Sequence, residues 1–336
     1  MNQGEEAARL PAEHQTQPPL PRPTQSLDPG RFVPFGWQGI RGEVPEDWNL
    51  GAIGGERKAG YVRLDDEDMP RLELKWQKPE GGIDLDKILD TYLRDLQKRS
   101  RKRKATFNIS RGVKILSRRQ KRNKDLRGYT FTGEFEAHGV IWHCRTCGRV
   151  VIAQVLGTEE SNLGPLAVRV LGSLEDHASD HWDLWAAYGM AFRLPDDFEL
   201  TKQKLMTGKL ELNFTRHKIE KLSLARWALA EVLLKGTSLE QWAAKNYKAR
   251  QGDHKLLCRE TTYRGHPGID VRGDVGKPAR RLKEAVQSSV LRQSVPQLRC
   301  ALWHCTREKK LYAVDTELLP EHEVTLDYVI QSLVCH

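Results

Sequence analysis

Four short segments occur twice in this chain, in the same order, and this internal repeat constrains the fold more than any other feature. The clearest pair is IWHC at residues 141–144 and LWHC at residues 302–305. Self-similarity at a nearly constant offset is typical of a duplicated structural unit. The sequence therefore predicts two tandem copies, near residues 35–180 and 186–336. The other pairs are VPEDWNL and LPDDFEL (44–50 and 194–200), LELKW and LSLARW (72–76 and 222–227), and SLEDH and SLVCH (173–177 and 332–336).

Within each copy, the hydrophobic periodicity predicts strands, a helix, more strands and a closing helix. Apolar residues alternate at 62–76, as in half-buried strands, and recur every three or four residues at 85–96, as in an amphipathic helix. Residues 222–234 satisfy both patterns and stay unassigned. This order favours an α+β fold, a tandem duplication of an antiparallel-sheet domain with helices packed on its faces. Further strands are predicted at 129–133 and 269–273, hairpins at 140–155 and 298–314, and helices at 166–174, 239–247 and 326–333.

Short motifs in both copies resemble those of the Mog1/PsbP-like group. They are Pro45 with Trp48, GHPG at 265–268 before a strand, and VIQSL at 329–333 in the closing helix. The resemblance implies an α/β/α sandwich for each copy. It also implies a non-catalytic binding or assembly factor, and therefore a partner rather than a substrate.

The first 30 residues contain six of the sixteen prolines and almost no apolar residues, which predicts a disordered Pro/Gln-rich leader at 1–30. The 336-residue chain has no apolar run of about 18 residues and no secretory signal pattern. Its six cysteines are too few for a disulfide scaffold. We therefore expect no membrane span and a cytoplasmic protein, or a nuclear one in a eukaryote.

One segment of the first copy is strongly basic. Fourteen lysines and arginines and a single acid, Asp95, lie within residues 94–124, a net charge of +13, whereas the whole chain carries +9. Such an insertion is typical of an arm or loop that contacts phosphates. A solvated surface and a nuclear-import signal are the alternatives. The predicted anion-binding residues are Lys98, Arg99, Arg101, Lys102, Arg103, Lys104, Arg118, Arg119, Lys121 and Arg122.

A cysteine pair in the first copy has the spacing of a zinc knuckle. Two residues separate Cys144 from Cys147, and His177 and His181 are four residues apart further along the chain. Two thiolates and two imidazoles make up a tetrahedral set that Zn²⁺ prefers. The second copy has Glu308 at the position of Cys147, so its hairpin forms without this pair. Ordinary hairpin cysteines and a redox pair are the alternatives.

No catalytic signature stands out. The GAIGG segment at 51–55 lacks the lysine of a Walker-type phosphate loop. Neighbouring His and Cys residues, at 143–144 and 304–305, point to opposite faces of a strand and so do not form a nucleophile pair. We therefore expect a non-catalytic binding or assembly module without a cofactor, whose basic arm contacts an anionic partner such as nucleic acid, or another protein. The alternatives are a zinc-containing nucleic-acid-binding protein and an enzyme with an unrecognised site at the interface between the repeats.

Overall fold

Strands make up most of this molecule. The computed structural model describes residues 30–103, 106–117, 123–158, 161–246, 254–275 and 296–335, so the predicted leader, apart from Gly30, lies outside the described residues. None of the helices in the described part is long and apolar enough to cross a membrane. The strands are β1 (Phe32–Trp37), β2 (Ile40–Pro45), β3 (Asn49–Gly55), β4 (Ala59–Asp65), β5 (Pro70–Gln77), β6 (Asn108–Arg111), β7 (Lys124–Thr132), β8 (Glu136–Cys144), β9 (Val150–Gly157), β10 (Trp182–Ala187), β11 (Met190–Pro195), β12 (Glu199–Met206), β13 (Lys209–Arg216), β14 (Glu220–Trp227), β15 (His254–Tyr263), β16 (His266–Val275), β17 (Gln297–Cys305) and β18 (Lys310–Leu318). The helices are α1 (Leu85–Lys102), α2 (Leu163–Ser173), α3 (Ala230–Leu233), α4 (Leu239–Asn246) and α5 (Val324–Ser332), with a 3-10 turn at Pro320–His322.

The two larger sheets share one strand order. The first runs β3-β4-β5-β9-β8-β7-β6 and the second runs β12-β13-β14-β18-β17-β16-β15. Each strand of the first sheet therefore has its counterpart nine strands later. All the paired strands are antiparallel. The prediction of an α+β fold built on antiparallel sheets is confirmed.

Strands from both halves of the chain meet in a third sheet, of order β11-β10-β1-β2. The two halves join at the β1–β10 pair, where Gly36 lies opposite Ala186. Beside this pair, the rings of Trp37 and Trp185 pack edge to face with their centroids 5.2 Å apart. One hydrophobic core consequently extends through both halves.

Helices α1 and α2 pack on opposite faces of the first large sheet. Leu85, Leu89 and Leu93 of α1 are buried in one cluster with Ile141 of β8. The next residue, Trp142, belongs instead to the core that contains α2. Successive side chains of a strand point to opposite faces, so β8 contributes to both layers.

The second large sheet is covered in a similar way. Trp242 of α4 shares a cluster with Leu302, whereas Trp303 lies in the core that contains α5. Residues 222–234, which the sequence left unassigned, divide into the strand β14 and the short helix α3. Ser238 caps helix α4, because its Oγ accepts a hydrogen bond from the Gln241 amide at 3.1 Å.

Candidate metal centre and basic surface

The β8–β9 turn and the segment that follows α2 bring four potential metal ligands together. The ligand atoms of Cys144, Cys147, Asp176 and His177 all lie within 4.8 Å of one another. The Cys147 thiol donates to Asp176 Oδ2 at 2.9 Å, and the Cys144 sulfur lies 3.6 Å from His177 Nδ1. Two sulfurs, one imidazole and one carboxylate form a four-donor set that suits Zn²⁺. We name these four residues the first centre.

Backbone hydrogen bonds hold the two cysteines of the first centre in a tight turn. The Cys144 amide donates to the Arg149 carbonyl, and the Gly148 amide donates to the Cys144 carbonyl, both at 2.9 Å. Gly148 has a φ of +75°, a left-handed conformation that glycine adopts without a Cβ clash. Cys144 is buried and Cys147 is half-buried, so the centre reaches solvent on the Cys147 side.

The segment after α2 is fixed by contacts with two strands and with the β8–β9 turn. Glu175 forms an isolated β-bridge with Arg41 of β2, and the Arg41 Nε also donates to the Glu175 carboxylate at 2.7 Å. Arg149 of the β8–β9 hairpin donates to the Asp176 carbonyl at 3.1 Å. Lys124 of β7 donates at 2.7 Å to the carbonyl two residues before Asp176. These contacts place the carboxylate against the cysteines without help from a ligand.

Hydrogen bonding and burial shift the pKa values of Asp176 and Cys147 in opposite directions. Burial on its own raises the pKa of the Asp176 carboxyl, but hydrogen bonds from the two thiols and the charge of Lys124 outweigh it, so this pKa lies below its ordinary value. Burial and the hydrogen bond to Asp176 raise the pKa of the Cys147 thiol to about 12. A Zn²⁺ ion held by two thiolates and one carboxylate leaves one net negative charge, and the buried Lys124 ammonium is placed to offset it.

Three of the four predicted ligands come together, and His181 does not. Its side chain is 84% exposed, and its Nδ1 lies 3.1 Å from the Asp196 carboxylate. A spacing of four residues brings two histidines to one face only in a helix. Here α2 ends at Ser173, and His181 has a φ of +59° just before β10. Asp176 is the fourth potential ligand instead. The sequence indicates it only by its position beside His177 in the repeated SLEDH segment.

The basic residues of the predicted arm that the structure describes lie at the C-terminal end of α1, where cations interact favourably with the helix dipole. In the segment that follows, β6 pairs with β7 at the edge of the first large sheet, and Phe107 packs on Phe131. We name the exposed cations Lys98, Arg99, Arg101, Lys102 and Arg103 the basic helix end. Lys104, Arg118, Arg119, Lys121 and Arg122 lie outside the described residues.

Few acids neutralise the basic helix end. Lys98 Nζ lies 3.8 Å from the Asp95 carboxylate, and Arg103 pairs with Glu134 at 2.5 Å. The other three cations form no ion pair with any residue in the described part of the chain. A shallow depression beside them is lined by Asp95 and four of the cations. The surface therefore presents a concentrated positive charge to solvent.

A cavity of about 580 Å³ opens on the second large sheet, beside α4. Ser223 of β14 and Asp315 of β18 are among its buried lining residues. The enzyme alternative places its site at the interface between the repeats. This cavity instead lies within the second half, where Lys221 and Glu317 at its rim pair with each other at 2.8 Å.

Comparisons with known proteins bear on the fold. No family model and no curated protein matches the chain. Among solved structures, the cyanobacterial PsbP protein CyanoP from Synechocystis is 13% identical over 47% of this chain and 95% of its own, with a TM-score of 0.30. The T6SS immunity protein TplEi from Pseudomonas aeruginosa is 12% identical over 91% of this chain and 97% of its own, with a TM-score of 0.29. Its complex with the "L" peptide is 11% identical, over 91% and 98%, with a TM-score of 0.29. One of these structures is a PsbP protein, from the group that the sequence motifs resemble, and all three likenesses are weak.

Proposed function

We propose that the protein is a non-catalytic binding or assembly module that contacts an anionic partner, such as nucleic acid, through the basic helix end. The observation that carries this proposal is the exposure of five cations within six residues, 98–103. A cation in the last turn of a helix interacts favourably with the helix dipole, but each such interaction contributes only about 0.3–1 kcal/mol. Stabilisation of the end of α1 therefore does not by itself explain five cations with few acids beside them.

Phosphate groups are the chemistry that this surface fits best. Guanidinium groups bind phosphate oxygens in a bidentate manner, and lysines add point charges. Each neutralised phosphate releases counterions, so binding weakens steeply with salt. The rest of the chain is slightly acidic by comparison, which favours binding at this one place over general adhesion to polyanions. Contacts of this kind position a protein on nucleic acid without reading its sequence.

Fluorescence polarisation with short labelled single- and double-stranded nucleic acids tests the proposal, over about 50 to 200 mM salt. The test variant changes Lys98, Arg99, Arg101, Lys102 and Arg103 to Gln. The matched control changes five exposed lysines of the second half to Gln: Lys202, Lys204, Lys218, Lys235 and Lys245. Both variants lose the same charge, so a loss of binding in the first alone supports the basic helix end. If both variants bind as well as wild type, the basic helix end is not the contact surface. A wild type that does not bind at low salt contradicts nucleic acid as the partner and directs the search to acidic proteins.

We also infer that the chain is a tandem duplication of one α+β unit. Equivalent irregularities support this inference beyond the shared strand order. Bulges interrupt the sheets at Leu50 and at Leu200. Ser173 Oγ accepts from the backbone amide of residue 43, and Ser332 Oγ accepts from that of residue 193, both at 2.9 Å. Superposition of residues 40–180 on 190–335 in a crystal structure tests the inference, since it requires Cys144 to fall on Cys305.

Zinc binding at the first centre is a second candidate function, which the four converging donors favour. Full-length protein purified with Zn²⁺ and then dialysed is expected to retain an equivalent of zinc that Cys147→Ser removes. Cys258→Ser is the matched control, because Cys258 is an exposed thiol outside the cluster. An unchanged zinc content in the Cys147→Ser protein contradicts this candidate.

A further inference from the structure

The second half contains its own cluster of soft ligands, which we name the second centre. The ligand atoms of His266, Cys305 and Cys335 lie within 4.8 Å of one another, and all three residues are buried. His266 Nε2 lies 3.6 Å from the Cys335 sulfur. None of the described cysteines forms a disulfide, so both sulfurs are thiols. Two thiols and an imidazole therefore converge in a core that is otherwise apolar.

The second centre occupies the same place in its sheet as the first centre does. Cys144 ends β8 and Cys305 ends β17, its counterpart nine strands later. Asp176 and Cys335 are each the third residue after the closing helix of their half. Each centre thus combines a strand-end cysteine with a ligand from the segment that follows the last helix.

The third ligand of the second centre comes from a neighbouring strand. In the first half, Lys124 of β7 lies opposite Cys144 of β8. In the second half Gly268 pairs with Trp303, and the same antiparallel register places His266 beside Cys305. A histidine therefore stands where the first half has a lysine. The change replaces a cation that lies beside the first centre with a neutral imidazole that itself belongs to the second centre.

We propose that His266, Cys305 and Cys335 bind a Zn²⁺ ion, independently of the anion-binding surface and of the first centre. Thiolate and imidazole are the ligands that structural zinc sites use. Binding releases the two thiol protons to solvent, and two thiolates with one Zn²⁺ ion and a neutral imidazole carry no net charge. This neutrality matters because an unbalanced charge is costly in a buried place.

The competing interpretation treats the two cysteines as small apolar core residues. Buried free cysteines are common in that role. Apolar packing does not require an imidazole beside the sulfurs, whereas His266 Nε2 lies 3.6 Å from the Cys335 sulfur. Aromatic rings confine the place further: Tyr263 packs on Trp303, and Tyr312 stacks on Trp303 with ring centroids 5.5 Å apart. Such packing holds the strand-end ligands in fixed positions, which is what a metal site needs.

Metal content of the full chain tests the proposal. Protein is loaded with Zn²⁺ alone, dialysed, and analysed by elemental analysis; a parallel sample is titrated with Co²⁺, whose thiolate charge-transfer band reports sulfur ligation. We expect Cys335→Ser and His266→Asn each to lose one equivalent of zinc relative to wild type, and to lose part of the Co²⁺–thiolate band. Cys147→Ser changes only the first centre, so its zinc content does not bear on the proposal about the second centre.

Cys300→Ala is the matched control, because Cys300 is a buried cysteine of the same strand, β17, that lies outside the cluster. It is expected to keep the wild-type zinc content. His266→Asn guards against misfolding as a trivial cause, because it preserves both thiols and its circular dichroism is compared with that of wild type. If folded His266→Asn and Cys335→Ser proteins retain as much zinc as wild type, the site does not exist. Retention of Cu⁺ but not Zn²⁺ by wild type overturns the assignment of the metal.

Discussion

Gly36 of β1 lies directly opposite Ala186 of β10, and through this pair the two halves of the chain share one sheet. A Cβ at position 36 meets the Leu184 carbonyl oxygen at 2.3 Å. That neighbour is backbone and has little freedom to move away. We expect Gly36→Ala to lower the free energy of unfolding by about 1–3 kcal/mol, the usual cost of overpacking. Urea denaturation followed by tryptophan fluorescence measures it.

Gly208→Ala is the control for this substitution. Position 208 lies in the β12–β13 turn, and nothing is within 4 Å of a Cβ there. A change close to zero is expected for this variant. If both alanine variants unfold at the same urea concentration as wild type, the β1–β10 pair is not the tight junction that the structure describes.

Glu220 is a buried carboxylate that joins β14 to the segment after β18. Its oxygens accept from Arg216 Nε at 2.7 Å and from the Leu319 amide at 2.9 Å, and His322 Nδ1 lies 3.0 Å away. Burial on its own raises the pKa of this carboxyl, but the hydrogen bonds from Arg216, Leu319 and His322 hold the pKa below its ordinary value. The group therefore binds its proton more weakly in the folded state than in the unfolded state.

The sign of the pH effect follows from this difference. The stabilisation by Glu220 is complete above the unfolded carboxyl pKa of about 4.3 and is lost as the pH falls through the lower folded value. Among the described residues, Glu220→Gln leaves the buried Arg216 with only the more distant Asp197 carboxylate, at 3.5 Å, so we expect a loss of about 3 kcal/mol at pH 7. The loss shrinks as the pH falls below about 4.3 towards the lower folded pKa, because wild type progressively loses this contribution over that range.

Denaturant unfolding at pH 7 and near pH 3 measures both effects of Glu220→Gln. Lys221→Gln is the control, because Lys221 pairs with Glu317 at 2.8 Å on an exposed surface. Surface pairs of this kind contribute about 0–1 kcal/mol. An equal loss at both pH values contradicts the assigned role of the Glu220 charge.

Asp84 caps α1, the helix that carries the basic helix end, because its carboxylate accepts a hydrogen bond from the Lys87 amide at 3.0 Å. Asp84→Ala leaves that amide without its cap, and we expect a loss of about 1 kcal/mol. Asp84→Asn preserves the acceptor and is expected to restore most of the stability. Thermal melts of the three proteins test this order. If Asp84→Ala melts at the same temperature as wild type, the Asp84 cap does not stabilise α1.

The sequence indicates those features of the fold that local patterns encode. Alternating leucines predict β5, and the apolar face of residues 85–96 predicts α1, which continues to Lys102. The shared sheet of β1, β2, β10 and β11 leaves no such trace, because the Gly36–Ala186 pairing is a long-range contact between two small residues. Local periodicity does not carry information about which strand lies beside which.

The candidate metal ligands show the same limit. The spacing of Cys144 and Cys147 is a local signal, and it identifies the turn. His266 and Cys335 are 69 residues apart and come together only because β16 and the segment after α5 meet at the end of β17. No short motif contains both. His181 is among the predicted ligands for a different reason. Residues four apart lie on one face only in a helix, and α2 ends at Ser173, before both histidines.

Zinc removal is expected to lower the stability of the whole chain. A ligand that binds only the folded state adds about 2.7 kcal/mol per site at a free concentration one hundred times its Kd. The ligands tie the hairpin ends of both large sheets to the segments after α2 and α5, so we expect a chelator to lower the melting temperature of zinc-loaded protein by several degrees. The double variant Cys147→Ser/Cys335→Ser should melt at one temperature with or without chelator. Cys258→Ser/Cys300→Ala, which also removes two thiols, should keep the wild-type response. A chelator effect that persists in the first double variant places the bound zinc elsewhere in the protein.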